Sequence, residues 1–432
     1  MTTRVPFTPV DELGCWLDGP GEPNNVHLEV HVAGHLDPAR LGEAVGDTLT
    51  AHPLARARRA PHRGRQRRLE WEVPDRPGAT LERARWSTPE ELARGQRHLL
   101  AAAPPLDTAP VRVQHAVGPD RDVVLLSAHH AVLDGLSCLR LLRSIARRYA
   151  GAPDPVPANP LSLRVPRSGR DRPPRVSRRP PTRIAADRGR PLPGYGLLRL
   201  VLPCRPRTGP SPGTVNDVLI VALAVAIASW NSAHGADARN LRITVPINAR
   251  PPGLDGEQLG NLCRLASIAV PPGNSPRRTL ADVITQTSWA KNHSGPQLGL
   301  VTRVLAAPCY PVAVRARLVR LAHRFGARRF SDTSLVSNLG KVGEMLEFGP
   351  SAPVAGLWFS TPAPMPRGLS LGVLSLRDEL HLCFRYRLSL FDDAAATRFA
   401  GLFRESLAVI GDPRFEGPLI GNHPQGRDHR GA

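Results

Sequence analysis

Apolar and polar residues alternate along this chain with two different periods, and each change of period marks a new element. Val26, Leu28, Val30 and Val32 are apolar, with His27, Glu29 and His31 between them. That is the two-residue period of a half-buried strand. Gly34 then turns the chain, and residues 37–52 carry Leu41, Ala44, Val45 and Leu49 at helical spacing. A short β-branched run framed by charge, residues 123–126, predicts a central strand. The stretch SAHHAVLDG follows at once, and then a helix on which Leu136, Leu139, Leu142, Ile145 and Tyr149 share one face. Asp134 is placed to cap that helix, and Arg147 and Arg148 lie where its C-terminal dipole favours cations.

Beyond Tyr149 the periodicity disappears. Residues 151–194 are rich in proline and arginine, which predicts a linker: a solvated tether between lobes, or a docking arm for an acidic partner. The pattern then restarts. Residues 197–202 read as a strand, 214–231 as a buried helix, and 241–247 as a strand ending in VPINAR. A helical region covers 280–325, and a strand at 333–337 runs into SNLG. Two strands, 369–376 and 380–388, pair as a hairpin through Arg377, Asp378 and Glu379, and a helix over 393–410 closes the chain. The expectation is an α/β protein with a first lobe at 1–150, a linker at 151–194 and a second lobe at 195–432.

Composition narrows the function classes. The 432 residues carry a formal charge of +20, yet lysine occurs only at Lys291 and Lys341, so 55 of the 57 basic residues are arginine. A bias of that size reflects GC-rich coding, and no basic helix with interleaved aromatics accompanies it. Nucleic acid is therefore not an expected partner, although a basic surface attracts anionic ones. The cysteines, Cys15, Cys138, Cys204, Cys263, Cys309 and Cys383, are scattered without a C-x-x-C pair. Neither a disulfide framework nor a metal site is expected, in keeping with a reducing cytoplasm. No signal core opens the chain. The most apolar run, residues 218–228, suits a core helix better than a membrane span. No amphipathic basic helix is expected either, and hence no membrane partner.

One motif carries chemistry. In SAHHAVLDGLS, His129 and His130 end an apolar strand, and Asp134 and Gly135 begin a helix. A neutral imidazole at a rigid strand end is suited to general-base work near pH 7. Asp134 can hold the turn by capping the helix or neutralising an arginine, and Gly135 keeps side-chain bulk off the approach path. Ser337 and Asn338, in SNLG after a strand, are candidate oxyanion or substrate contacts, with a turn-stabilising role as the alternative. Asn216 is another candidate, with a helix start at 214–217 as the alternative.

HHAVLDG resembles the HHxxxDG signature of the superfamily of chloramphenicol acetyltransferases, nonribosomal-peptide condensation domains, carnitine acyltransferases, wax ester synthases and polyketide-associated acyltransferases. Weaker phrases extend the resemblance: AHPLARAR at 51–58, TVNDVLIVALAVAI, VPINAR, LGN at 259–261, and SNLGKV at 337–342. The resemblance implies two chloramphenicol-acetyltransferase-like α/β lobes in a V-shaped pseudo-dimer with a tunnel between them. It implies that His130 is the base, that His129 is structural, and that Asp134 is an ion-pair partner, with Arg56 as its arginine. No permanent cofactor is implied. The donor would be an acyl thioester on coenzyme A or on the phosphopantetheinyl arm of an acyl or peptidyl carrier protein. The acceptor would be a small-molecule amine or alcohol. The implied enzyme is a free-standing cytoplasmic monomer making an amide or ester in specialised metabolism, antibiotic biosynthesis included. Alternatives are a wax-ester or lipid O-acyltransferase, a non-catalytic carrier-docking module, or a relative diverted to dehydration or cyclisation. The DFGWG motif of the plant branch is absent.

Overall fold

The computed structural model describes residues 3–63, 65–78, 80–156, 179–187, 189, 191–205, 213–250, 257–271, 273–293, 307–342 and 346–415. The first half of the chain forms β1 (Thr3–Pro6), α1 (Pro9–Trp16), β2 (Asn25–Ala33), α2 (Pro38–Ala51), β3 (Arg58–Arg59), β4 (Glu70–Val73), β5 (Leu81–Arg85), α3 (Pro89–Ala101), β6 (Val111–Val117), β7 (Arg121–His129) and α4 (Gly135–Ala150). The second half forms β8 (Tyr195–Pro203), α5 (Val215–Ala233), β9 (Leu241–Asn248), β10 (Cys263–Val270), α6 (Pro276–Asn292), α7 (Val312–Phe330), β11 (Ser334–Lys341), β12 (Val354–Ser360), β13 (Leu369–Leu376), β14 (Glu379–Arg387) and α8 (Asp393–Ile410).

Helix starts follow the side chains that can satisfy free amides. Thr8, Asp37, Thr88, Asp134, Thr214, Ser275 and Asp392 each accept a hydrogen bond from a backbone N–H in the first turn of the helix they precede. The strands form two main sheets. In the first, the order β12-β2-β7-β6-β5 puts β7 at the centre, as its apolar run predicts; in the second, the order is β10-β9-β11-β13-β14-β8. Each sheet has helices packed on it and its own large apolar core, giving the two α/β lobes expected. Helix α5 is long and apolar enough to cross a membrane by length and composition, but 67% of its apolar window is buried in the second core.

The structure departs from the sequence expectation in four places. Strand β12 comes from the second half yet pairs antiparallel with β2, so the first lobe borrows a strand from beyond residue 195. Strand β2 is not half-buried. Its polar residues His27 and Glu29 are as enclosed as its valines, because α3, β8 and Trp358 cover that face. Within the predicted linker, residues 157–178, 188 and 190 lie outside the described residues, while 179–187 packs on the second lobe: Ala185 donates to Asn231 Oδ1 at 2.9 Å and Thr182 to the Asn240 carbonyl at 2.9 Å. The predicted helical region at 280–325 resolves into α6 and α7, with 294–306 outside the described residues. Helix α7 is moreover basic and amphipathic, against the expectation that the chain has no such helix, with Leu321 and Phe325 exposed on its outer face.

Candidate active site

Between the lobes lies a cavity of about 290 Å³. The first lobe brings His130, Asp134 and Gly135 to its wall, and the second brings Arg250, Ser337 and Asn338. His130 gets there because β7 ends one residue earlier. The His129 amide donates to the Pro110 carbonyl and the His130 amide to the Asn24 carbonyl, both at 2.8 Å. The chain then bends tightly, with the Val132 amide donating back to the His129 carbonyl at 3.0 Å, and Asp134 starts α4.

That bend orients the two imidazoles differently. His130 Nδ1 lies 3.1 Å from the Leu133 carbonyl oxygen. A carbonyl only accepts, so Nδ1 carries the proton and Nε2 keeps its lone pair. Among the described residues Nε2 has no hydrogen-bond partner. Burial, with a smaller contribution from the His129 ring, pulls the His130 pKa below its ordinary value against the opposing charge of Asp134, so the ring is neutral at pH 7. His129 has both nitrogens engaged. Its Nδ1 accepts from the Ala131 amide at 3.1 Å, and its Nε2 faces Asp18 at 3.6 Å.

Asp134 holds the bend in place across the lobe boundary. One carboxylate oxygen accepts from the Ser137 amide at 2.9 Å and from Arg250 at 2.8 Å; the other accepts from Arg250 at 3.0 Å and from the Leu262 amide at 2.9 Å. Burial pushes this carboxyl up, and the bidentate Arg250 guanidinium outweighs it, leaving the carboxyl below its usual range. Ser137 adds a hydrogen bond to the Gly260 carbonyl at 2.8 Å, and Asn261 Nδ2 donates to the His130 carbonyl at 2.7 Å.

The partner expected for Asp134 was Arg56, and the structure corrects this. Arg56 ends a short 3₁₀ turn, and its Nε donates to the Pro74 carbonyl at 2.8 Å, tying the end of α2 to the residue after β4. Every lone pair of Asp134 is already taken by donors at 134–137 and 250–262. Arg250 and Asn261 went unnamed as site residues, although they lie in VPINAR and LGN, two of the phrases that carried the resemblance.

The remaining candidates divide. Gly135 belongs to the wall, and a Cβ there would lie 2.8 Å from Leu339 and 2.9 Å from the Phe359 ring. Ser337 and Asn338 also line the cavity. Asn338 Oδ1 accepts from the Gly340 amide at 2.8 Å, which leaves its NH₂ group as a donor. Asn216 sits in the first turn of α5, inside the Thr214–Asp217 capping box, and is not part of the cavity wall. Two further wall residues matter chemically. Burial pushes the Cys263 thiol up to about 12, so it stays protonated and is a poor nucleophile. Arg367 donates only to the Thr244 hydroxyl, at 3.2 Å, among the described residues.

Comparison with known proteins adds to this geometry. No family model matches the chain. Uncharacterized protein Rv2305 of Mycobacterium tuberculosis (strain ATCC 25618 / H37Rv) is 30% identical over 439 residues, 94% of this chain and 100% of that one. A probable nonribosomal peptide synthetase, CymA of Salinispora arenicola (strain CNS-205), is 34% identical over 152 residues, 33% of this chain and 2% of that protein. Among solved structures, a mutant of the starter condensation domain of rhizomide synthetase RzmA in complex with C8-CoA superposes with a TM-score of 0.64 at 13% identity, covering 96% of this chain and 98% of that one. The EpoB cyclization-docking bidomain from Sorangium cellulosum gives a TM-score of 0.65 at 13% identity, over 95% and 85% of the respective chains.

Proposed function

We propose, from the premise that the chain belongs to one family with the mycobacterial protein Rv2305 and has the fold of the condensation domains, that it is an acyltransferase of the condensation-domain superfamily with His130 as general base. The observation that carries this reading is the His130 ring: Nδ1 is occupied by the Leu133 carbonyl, and Nε2 is left as a lone pair at a cavity walled by both lobes.

In this mechanism the acceptor amine or hydroxyl attacks the thioester carbonyl carbon of an acyl donor while Nε2 takes its proton. The carbonyl oxygen becomes a tetrahedral oxyanion, for which the Asn338 NH₂ group and Ser337 are the donors. The C–S bond then breaks, and the departing thiolate recovers the proton from Nε2–H. The products are an amide or ester and a free thiol. No acyl-enzyme is required, and the protonated Cys263 offers no route to one. Asp134 acts at one remove, with Arg250 and Ser137, as a positioning residue that fixes the bend. Arg367 leaves a positive charge for an anionic group of the substrate. The donor arrives on coenzyme A or a carrier protein, and the setting is cytoplasmic specialised metabolism. Proximity of the two substrates supplies the larger part of the rate, and the base about 10²–10⁴-fold.

The test is intact-mass analysis of acyl-CoAs of graded chain length and of acyl-loaded carrier proteins, each incubated with amine and alcohol acceptors. The expected result is loss of the acyl mass from one thioester class and its appearance on an acceptor. Binding of an acyl carrier without any thioester consumption would instead establish a docking module. Turnover confined to long chains and alcohols would place the chain with lipid O-acyltransferases.

A further inference from the structure

Helix α7 has two faces that call for different surroundings. Its inner face, with Val312, Arg315 and Val319 buried, is fastened to the first lobe. Arg315 pairs there with Glu12, and Arg320 donates to the Trp16 carbonyl at 3.3 Å. The outer face repeats Val314, Leu318, Leu321 and Phe325, spaced four, three and four residues apart, so they form one stripe. These side chains are 44%, 40%, 52% and 75% exposed, and Phe330 beyond them is 74% exposed. At about 1.5 Å per residue the stripe runs roughly 16 Å along the helix.

Beside it runs a second row, Arg317, Arg320, Arg324 and Arg328, at spacings of three, four and four. The 19-residue helix has six arginines and no aspartate or glutamate. Exposed apolar side chains in a row, on a helix so one-sided in charge, are not explained by contacts among the described residues. The row of cations lies alongside the apolar stripe. That matches a flat anionic surface with an apolar layer beneath it: the stripe sinks to the acyl boundary, and the guanidinium groups reach back to the phosphates. An acidic carrier protein is the competing occupant, and the test below separates the two.

We propose that α7 is an interfacial helix that seats this protein on the surface of an anionic phospholipid bilayer. The proposal stands on the helix alone and is independent of the acyl-transfer reading, so either can fail without the other.

The test is flotation of the full chain with vesicles of phosphatidylcholine alone and of phosphatidylcholine mixed with phosphatidylglycerol. The chain floats with the mixed vesicles. Leu321→Ser/Phe325→Ser, which leaves every charge in place, lowers the partition coefficient at least about tenfold, with Tm unchanged because both side chains face solvent. Arg324→Gln/Arg328→Gln weakens binding and flattens its dependence on salt. Failure of the wild type to float with the mixed vesicles overturns the proposal. So does an apolar double variant that floats as well as wild type, since the net charge of +20 would then suffice on its own. A third contrary result is concentration-dependent dimerisation that the same variant abolishes without any flotation. Protection of α7 from hydrogen exchange by a carrier protein but not by vesicles would equally overturn it.

Discussion

Among the buried carboxylate–arginine pairs that join the two halves of the chain, two form a contrast: Asp134 with Arg250 at 2.8 Å, and Glu29 with Arg199 at 2.7 Å. Their surroundings differ. Asp134 is held by two backbone amides and a guanidinium, none of which changes protonation at ordinary pH. Glu29 receives Arg199, Gln96 at 2.8 Å and the imidazole of His31, with His27 at 3.9 Å. Burial pushes the Glu29 carboxyl up, and Arg199 with the two histidines outweighs it, holding the carboxyl well below its usual range. Burial also lowers the pKa of both His27 and His31. The latch next to the cavity is therefore insensitive to pH, and the remote one is not. The same electrostatic device fixes a reacting group in one place and merely closes an interface in the other.

Removing one arginine from each pair separates the two roles. Arg250→Met leaves Asp134 charged and buried without a counter-ion, and urea unfolding should show a loss of about 3–5 kcal/mol, with kcat falling as the bend loosens. Arg199→Met should cost less, because His31 and Gln96 still serve Glu29, and it should leave kcat unchanged. Equal effects on kcat would erase the distinction. Next in size, Asn338→Ala should lower kcat about 10²–10³-fold with KM little changed, the signature of an interaction made in the transition state; steady-state kinetics on a stably folded variant checks it.

The smallest effect belongs to the remote cluster. Both nitrogens of His27 are buried without a hydrogen-bond partner. Below the ordinary imidazole value of 6.5 the unfolded chain takes up a proton that the folded one refuses, so stability falls as pH falls through that range. His27→Leu should therefore raise stability by about 1 kcal/mol, and by more at acid than at alkaline pH, without altering kcat. Thermal melts at several pH values would show it.

How much of this was legible follows from how far apart in the chain the parts lie. The His130 bend was readable because strand end, histidines and cap are contiguous, and α5 because its apolar run is unbroken. Arg250 was not, since it sits 116 residues from Asp134 and a lone arginine at a strand end has no local signature. Nothing in the sequence of β12 says which sheet it joins. The alternation of β2 is the same whether its polar face meets water or, as here, a second lobe. Strands β6 and β10 and helix α3 escaped notice altogether. The apolar stripe of α7 was readable by its spacing, but was absorbed into a longer helical region.

The central claim is that His130 Nε2 takes the proton of the acceptor. It is tested most directly by measuring thioester consumption by wild type and His130→Ala across pH, once a donor and acceptor are in hand. The prediction is a loss of about 10²–10⁴-fold in kcat with Tm preserved. The wild-type acid limb should fall through a pKa below 6.5, because burial favours the neutral ring, and should be missing from the variant. Turnover by His130→Ala within about twofold of wild type, with the acid limb intact, would contradict the account.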